Sequence, residues 1–280
     1  MSNPLSGHGP RRALKRGLAA ALAPAPSRRS VAGATLLIYH RIGDGTPDEL
    51  DLAAEAFDQQ VEALADHRVV SLDQALDDLD AGRTEPSVVL TFDDGFAGVY
   101  EHAWPRLRAA GLPFTIYVAT AYIGGVMRWP GSTATGEPGQ GLTWDQLEEL
   151  AASDLVTVAN HTHTHARPEE LTAEELDRCS EVLGERLGIV PQHFAYTWGV
   201  PVPTAFPLLR ERFRSSATGS LGRNLAGTDR HLLHRVPVRA SDPLPFFEAK
   251  LSGGLGAERT YERVVTGAKS LQALGRSRRS

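Results

Sequence analysis

The sequence predicts an α/β protein whose core is a distorted barrel of about seven parallel β-strands. Short apolar runs of strand length alternate along the chain with stretches whose apolar residues follow helical spacing. The segments between successive strands are too long for hairpins, which favours parallel strands joined by right-handed crossovers. Ligand-type side chains directly follow several of the strands, and active sites of such barrels lie at that edge.

The N-terminal elements can be assigned from apolar spacing. The first strand, Thr35–His40, ends in an aromatic residue and a histidine. A helix is predicted over 56–65, followed by a short strand at 69–71 and a short helix over 72–80. The run Val88–Thr91 then predicts a buried strand.

The central elements carry start and stop signals. A helix over 99–110 is expected to end at Gly111, before a strand at 114–118. Thr143 and Gln146 form a capping box that begins a helix running to about 153.

The remaining elements follow the same alternation. A strand is predicted at 155–159, a helix runs from 171 to a stop at Gly188, and a strand covers Phe194–Gly199. The last elements are expected at 205–213 (helix), Ser216 (a weak strand), Leu232–Val238 (strand) and 245–251 (helix).

One connection is unusually long. Residues 122–142 are rich in Gly, Ser, Thr and Pro and contain Arg128 and Trp129. Loops of this length in compact domains are usually functional or without fixed structure. The sequence leaves open whether this loop closes over a substrate.

Charge is distributed unevenly along the chain. The net charge of −5 argues against nucleic acid as the main partner, yet residues 1–30 hold six Lys and Arg and no acid. We expect a basic arm without fixed structure over 1–33, a catalytic domain over 34–255 and a basic tail over 256–280. Such basic ends are expected to make at most a weak contact with an acidic surface.

Cysteine content and hydropathy restrict the class further. Cys179 is the single cysteine, so the sequence holds no internal disulfide and no cysteine zinc site. No window reaches transmembrane length. The Ala-rich stretch 17–23 follows basic residues but is short, so we favour a cytoplasmic protein, with export after signal cleavage as the alternative.

The chemistry is predicted where two strands end. Asp93 and Asp94 follow one strand, and His161, His163 and His165 follow another. On its own, Asp94 could equally cap a helix that opens near Phe96. Together, one carboxylate and two histidines suit a mononuclear site for zinc or another divalent transition metal, and His163 is expected to point away.

Such a site predicts hydrolysis of an amide or ester. A bound divalent ion lowers the pKa of water from about 15.7 to near 7 and polarises a carbonyl group. A carboxylate beside the ligands, such as Asp93, could accept the proton of that water as general base.

These motifs resemble those of the polysaccharide deacetylase family, the NodB-type carbohydrate esterases. Thr91–Gly95 and His161–His165 look like its first two motifs, and Phe194–Tyr196 is similar to the third. The similarity runs from about Leu37 to Val238 and includes the segment 57–60 and the pair Tyr39 and His40.

The resemblance implies a fold, a reaction and roles. The fold is a distorted (β/α) barrel, and the reaction is metal-dependent removal of N-acetyl groups from hexosamines. By position, Asp93 matches the base, and the metal ligands match Asp94, His161 and His165. The backbone N–H near Tyr196 matches the oxyanion donor, a role that needs no particular side chain.

Two departures from the family pattern bear on these roles. Phe96 stands where many members have proline, and Thr197–Gly199 replaces a motif that commonly carries proline and tyrosine or an arginine. The arginine that steadies the base in some members is absent there. Arg235 is a candidate to replace it, with an ordinary ion pair at the barrel end as the alternative.

The general acid is the least determined role. Family members often use a late histidine, which makes His234 our first candidate; His231 is also available and His40 is the second candidate. In an alternating strand, Leu232 and His234 share one face and Leu233 and Arg235 the other. Each histidine could instead be structural.

The predicted function is N-deacetylation of an N-acetylated saccharide or glycoconjugate. The aromatic residues Trp198 and Trp129 could stack on a sugar ring, although packing at the barrel end would explain them as well. The alternatives are hydrolysis of a formyl or cyclic amide in the same fold, and a catalytically inactive glycan-binding protein.

Overall fold

A computed structural model describes residues 8–21, 32–132, 136–252 and 255–265. The chain folds as two compact units. The described residues between 32 and 240 form one unit, and those at the two ends of the chain, 8–21, 241–252 and 255–265, form the other.

The larger unit is a closed barrel of seven parallel strands, as the sequence predicts. The barrel order is β1-β4-β5-β6-β7-β8-β9, and β9 pairs with β1 to close it. Two further short strands, β2 and β3, pair only with each other. In chain order the strands are β1 Ala34–Tyr39, β2 Arg41–Ile42, β3 Asp51–Leu52, β4 Ser87–Phe92, β5 Phe114–Val118, β6 Val156–Asn160, β7 His193–Ala195, β8 Ser215–Leu221 and β9 Leu233–Pro237.

The helices follow the predicted pattern, with ends shifted by a few residues. A π-helical turn, Val99–Ala103, leads into the fourth helix. The predicted capping box of Thr143 and Gln146 is present. The helices are α1 His8–Ala21, α2 Ala54–Leu64, α3 Leu72–Asp80, α4 Trp104–Ala110, α5 Trp144–Ala151, α6 Ala173–Leu187, α7 Phe206–Arg212 and α8 Leu244–Leu251.

Every barrel strand contributes at least one buried residue to a common apolar cluster. Three consecutive strands contribute alanine there, and the side chains of α3 join the same cluster. Small side chains let the interior fill without voids, as close packing requires. The eight strand residues are Ala34, Leu36, Val89, Tyr117, Ala159, Ala195, Ala217 and Leu233.

Helix α3 lies at the amino-terminal end of the barrel strands. Asp73 at its start contacts His193, the first residue of β7, and both Asp73 and Asp77 pair with Arg214, which directly precedes β8. The opposite, carboxyl-terminal edge of the barrel is therefore left for the functional groups.

Two predicted strands need correction. Residues 69–71 do not form a strand; Val69 makes only a single bridge with Val88. The strand predicted over Phe194–Gly199 ends at Ala195, because a tight turn follows in which the Gly199 N–H donates to the Tyr196 carbonyl at 2.9 Å.

The unit formed by the chain ends differs from the expected arm and tail. Residues 8–21 form α1, whose Lys15 is buried and pairs with Asp242 at 2.6 Å. Leu14, Leu18 and Ala19 share an apolar cluster with residues of the 241–265 region. The sequence predicts an arm without fixed structure because of its basic residues. The small apolar residues on one face of α1 are only a weak signal of a buried helix. Residues 1–7, 22–31 and 266–280 of the predicted arm and tail lie outside the described residues.

Among the described residues, no helix is both long enough and apolar enough to span a bilayer.

Candidate metal centre

The two adjacent carboxylates leave β4 in opposite directions because the backbone turns sharply. Asp94 has φ of 75° and Gly95 has φ of 97°, both in the left-handed region. The Asp94 carbonyl accepts a bond from the Ala119 N–H at 3.1 Å, which holds the turn against the end of β5. The following helical turn has Gly98 as its cap residue and no side-chain cap, so the reading of Asp94 as a helix cap is wrong.

Asp94, His161 and His165 converge at the carboxyl-terminal edge of the barrel. The Nε2 atoms of His161 and His165 lie 3.3 Å and 3.2 Å from Asp94 Oδ1. All three side chains are buried, and their candidate ligand atoms lie within 4.8 Å of one another. Burying a carboxylate among imidazoles with no other cation is costly. This donor set fits a divalent transition metal such as zinc.

The proton on His161 can be placed from its hydrogen bond. Its Nδ1 lies 2.9 Å from the Ala195 carbonyl, which can only accept, so Nδ1 carries a hydrogen and Nε2 is the ring atom turned to Asp94, where a bound metal would meet it. Burial by itself would raise the pKa of Asp94, but the contacts with His161 and His165 outweigh it and hold that pKa well below its ordinary range.

His163 lies in the same turn and faces away, as predicted. Its Nδ1 is 2.8 Å from Thr120 Oγ1. The turn is held by Asn160, whose Oδ1 accepts from the Thr162 N–H at 2.9 Å while its Nδ2 donates to the Leu176 carbonyl at 2.9 Å. Asn160 thus positions the ligand turn. The sequence analysis predicts no role for Asn160, although an asparagine at a strand end is a recognised turn signal.

Asp93 is paired with Arg235 inside the protein. The contact is bidentate, with Nη1 2.6 Å from Oδ1 and Nη2 2.8 Å from Oδ2. Arg235 also donates from Nε to the Thr218 carbonyl at 2.9 Å and lies over the Tyr117 ring at 5.6 Å. The contact required by the sequence hypothesis for Arg235 is therefore present.

This pairing controls the charge of Asp93. Burial acts to raise the pKa of Asp93, but the Arg235 guanidinium outweighs burial and lowers that pKa below its ordinary value. Asp93 is therefore an anion held at the edge of the ligand cluster. A carboxylate in that state can accept a proton.

Strand alternation does not favour His234, our first candidate for the general acid, because it places His234 on the face opposite Arg235. Successive residues of a strand point to opposite faces, and Arg235 uses the inward face to reach Asp93. His234 therefore faces outward, where its ring packs so closely on Gly222 that an added Cβ there would lie 2.8 Å from it. His231 is also elsewhere, with its Nδ1 3.1 Å from Ser216 Oγ.

His40 is better placed. It directly follows β1, at the same barrel edge as Asp93 and Asp94, and its positive form would lower the pKa of both carboxyl groups. Within the described residues its buried Nδ1 has no hydrogen-bond partner. The His40 side chain is half-buried, so part of its ring is open to a bound molecule at this edge.

The oxyanion donor predicted near Tyr196 is not the N–H of Tyr196 itself. Its N–H donates to the Ala217 carbonyl at 2.9 Å, and its hydroxyl donates to the His231 carbonyl at 3.1 Å. Both groups are thus already used. Trp198 lies in the next turn with φ of 55°, partly exposed, and contacts His165.

Comparisons with known proteins agree with the fold and the motifs. Residues 80–210 match the sequence profile of the polysaccharide deacetylase family. YxkH of Bacillus subtilis (strain 168), provisionally named as a polysaccharide deacetylase, is 26% identical over 144 residues, which is 50% of this chain and 46% of that protein. The resemblance to the polysaccharide deacetylases is confirmed.

Two solved structures share the barrel. IcaB from Ammonifex degensii superposes with a TM-score of 0.66 and 29% identity, covering 79% of this chain and 97% of that one. The Streptococcus pyogenes deacetylase PplD, solved in complex with acetate, has a TM-score of 0.63 and 22% identity, covering 75% of this chain and 94% of that one. The latter similarity concerns the fold alone.

The deacetylase motifs and the structure together define the site more fully than either alone. The matched segment includes Asp93, Asp94 and the histidine turn, but neither His40 nor Arg235. Those two residues join the site because β1 and β9 are neighbours in the closed barrel.

Proposed function

We propose that this chain is a metal-dependent N-deacetylase that hydrolyses the acetamide of an N-acetylhexosamine in a saccharide or glycoconjugate. The observation that carries the proposal is a buried anion, Asp93, held by Arg235 beside a buried cluster of three metal-ligand side chains. Amide hydrolysis at neutral pH needs both a proton acceptor and an electrophile at one point.

Asp94, His161 and His165 would hold the metal, which we expect to be Zn²⁺ or another divalent transition ion. When bound, such an ion polarises a carbonyl group and makes water more acidic. The hydrogen bond from His161 Nδ1 to the Ala195 carbonyl keeps the His161 ring oriented for this role.

Asp93 would take the proton from the attacking water. Arg235 supports this role in two ways: it keeps the carboxylate ionised, and its two contacts prevent Asp93 from rotating toward the metal ligands. A bidentate guanidinium fixes a carboxylate plane better than a single bond does.

His40 would return a proton to the leaving amine, in place of His234. It directly follows β1 at the same barrel edge as Asp93 and Asp94, and it is not one of the three candidate metal ligands. The backbone N–H groups at Thr197 and Trp198, one turn beyond Tyr196, are the candidates to stabilise the oxyanion.

Acetate release tests the proposal. Purified protein would be supplied with Zn²⁺ and incubated with oligosaccharides of an N-acetylhexosamine, with acetate measured enzymatically and metal measured by elemental analysis. We expect acetate release, at least 100-fold less release with Asp93→Asn, and loss of the metal with His165→Ala.

The chain offers a matched control. His163→Ala changes a histidine in the same turn that faces Thr120, so it should keep the metal and most of the activity. Formate from N-formyl saccharides instead of acetate would indicate the deformylase alternative. Saccharide binding without release of either acid, in a metal-loaded protein, would contradict the catalytic proposal and favour the glycan-binding alternative.

A further inference from the structure

The two histidines of the ligand cluster are oriented by different means. His161 is held by a hydrogen bond from Nδ1 to a backbone carbonyl. The Nδ1 of His165 is also buried, yet it has no hydrogen-bond partner among the described residues. Metal-binding histidines usually donate their second nitrogen to an oxygen acceptor, which fixes the ring. Something else must orient His165.

Two indole rings contact the His165 imidazole. Trp129 is stacked on it, with ring centroids 4.1 Å apart and planes 27° apart. Trp198 meets it edge-on, at 4.4 Å and 61°. Ring contacts of this kind restrict rotation of an imidazole about its side-chain torsions, which a hydrogen bond would otherwise do.

The Trp129 indole is itself held by other aromatic rings. Trp129 packs on Tyr122 at 5.6 Å and on Phe96 at 6.3 Å. Phe96 follows the carboxylate turn and replaces the proline common in the deacetylases, and Trp198 lies in the altered third motif. The two departures from the family pattern therefore converge on one imidazole.

The backbone of Trp198 gives a second reason to assign it a role. Its φ of 55° lies in the left-handed region, which costs a residue with a Cβ atom about 1–2 kcal/mol. Glycine would adopt this conformation without that cost. Such strain in a partly exposed residue is typical of a side chain required at that position.

We propose that Trp129 and Trp198 are positioning residues for His165, holding its imidazole by ring contacts in place of the missing hydrogen bond. This inference rests on the proposed function, since it concerns the same metal site. It also assigns a purpose to the 122–142 loop: by delivering Trp129, the loop helps to complete the ligand set.

Metal affinity measured without saccharide tests the proposal. Zn²⁺ dissociation constants would be determined by chelator competition for Trp129→Ala and Trp198→Gly, the latter chosen because glycine suits the left-handed turn. We expect each variant to bind Zn²⁺ 10- to 100-fold more weakly, as when a supporting partner of a metal ligand is lost. The visible spectrum of the Co²⁺-loaded protein should also shift, and Trp129→Phe and Trp198→Phe should restore most of the affinity and the spectrum.

Trp144→Ala is the matched control, because it removes an indole that packs on Arg186 instead of the site. It should leave Zn²⁺ affinity unchanged. If Trp129→Ala and Trp198→Gly bind Zn²⁺ as tightly as the unaltered protein, the positioning role is overturned while the proposed function stands. If the unaltered protein binds no metal, the proposed function fails and the inference falls with it.

Discussion

Removing the charge of Arg235 should destabilise the protein strongly. Arg235 and Asp93 are 1% and 5% exposed and share two contacts of 2.6 and 2.8 Å. In Arg235→Met the Asp93 carboxylate stays buried without its partner, and breaking such a pair costs about 3–5 kcal/mol. That is a large part of the roughly 5–15 kcal/mol that stabilises a typical protein. Urea unfolding of metal-free protein at pH 7 measures the change.

Arg212 offers a control with the same chemistry and different burial. It contacts Asp177 through Nε at 2.6 Å and Nη2 at 3.0 Å, but the two side chains are 23% and 46% exposed. Arg212→Met should therefore cost at most about 1 kcal/mol.

A double-mutant cycle makes the test decisive. Asp93→Asn combined with Arg235→Met removes both charges and should cost well under the sum of the two single changes. Equal losses for Arg235→Met and Arg212→Met, or strict additivity in the cycle, would refute the reasoning that burial makes this pair strong.

Three further outcomes are expected. His40→Gln should reduce acetate release at least 100-fold and leave Zn²⁺ affinity unchanged, whereas His234→Gln should retain activity. If steady-state rates instead fall in His234→Gln and not in His40→Gln, His234 is the general acid. Asp73 has a pKa lowered from 3.8 to about 2 by its polar contact with His193 and by Arg214, so its contribution to stability is present above pH 4 and fades as pH falls toward 2. Thermal unfolding should show Asp73→Asn clearly below the unaltered protein at pH 6 and nearly equal to it near pH 2; a constant gap would disprove this linkage. Gly95→Ala should lower the unfolding free energy by about 1–2 kcal/mol because φ is 97°, and an unchanged urea midpoint would show that the turn relaxes.

Residue type and spacing carried much of the prediction. Apolar runs alternating with amphipathic stretches were sufficient to predict a barrel of parallel strands. Such strands are buried on both faces, so each appears in the sequence as a continuous apolar run. Asp94, His161 and His165 could be proposed as ligands because chemistry-bearing residues at strand ends meet at one edge of a parallel barrel. The sequence could locate the oxyanion donor only to the neighbourhood of Tyr196, since a sequence does not show which backbone N–H groups are already bonded.

The sequence by itself determined the order of the elements and which side chains could do chemistry, because these follow from local spacing and residue type. Only the tertiary structure decided which of them act together. Arg235 contacts Asp93 although the two residues are 142 positions apart in the sequence. Closure of the barrel makes β9 a neighbour of β1, and β1 lies beside β4, which Asp93 directly follows. Side chains alternate between the two faces of β9, so His234 faces outward when Arg235 faces inward. Which residue faces inward depends on how the strand packs in the barrel and not on the residue itself.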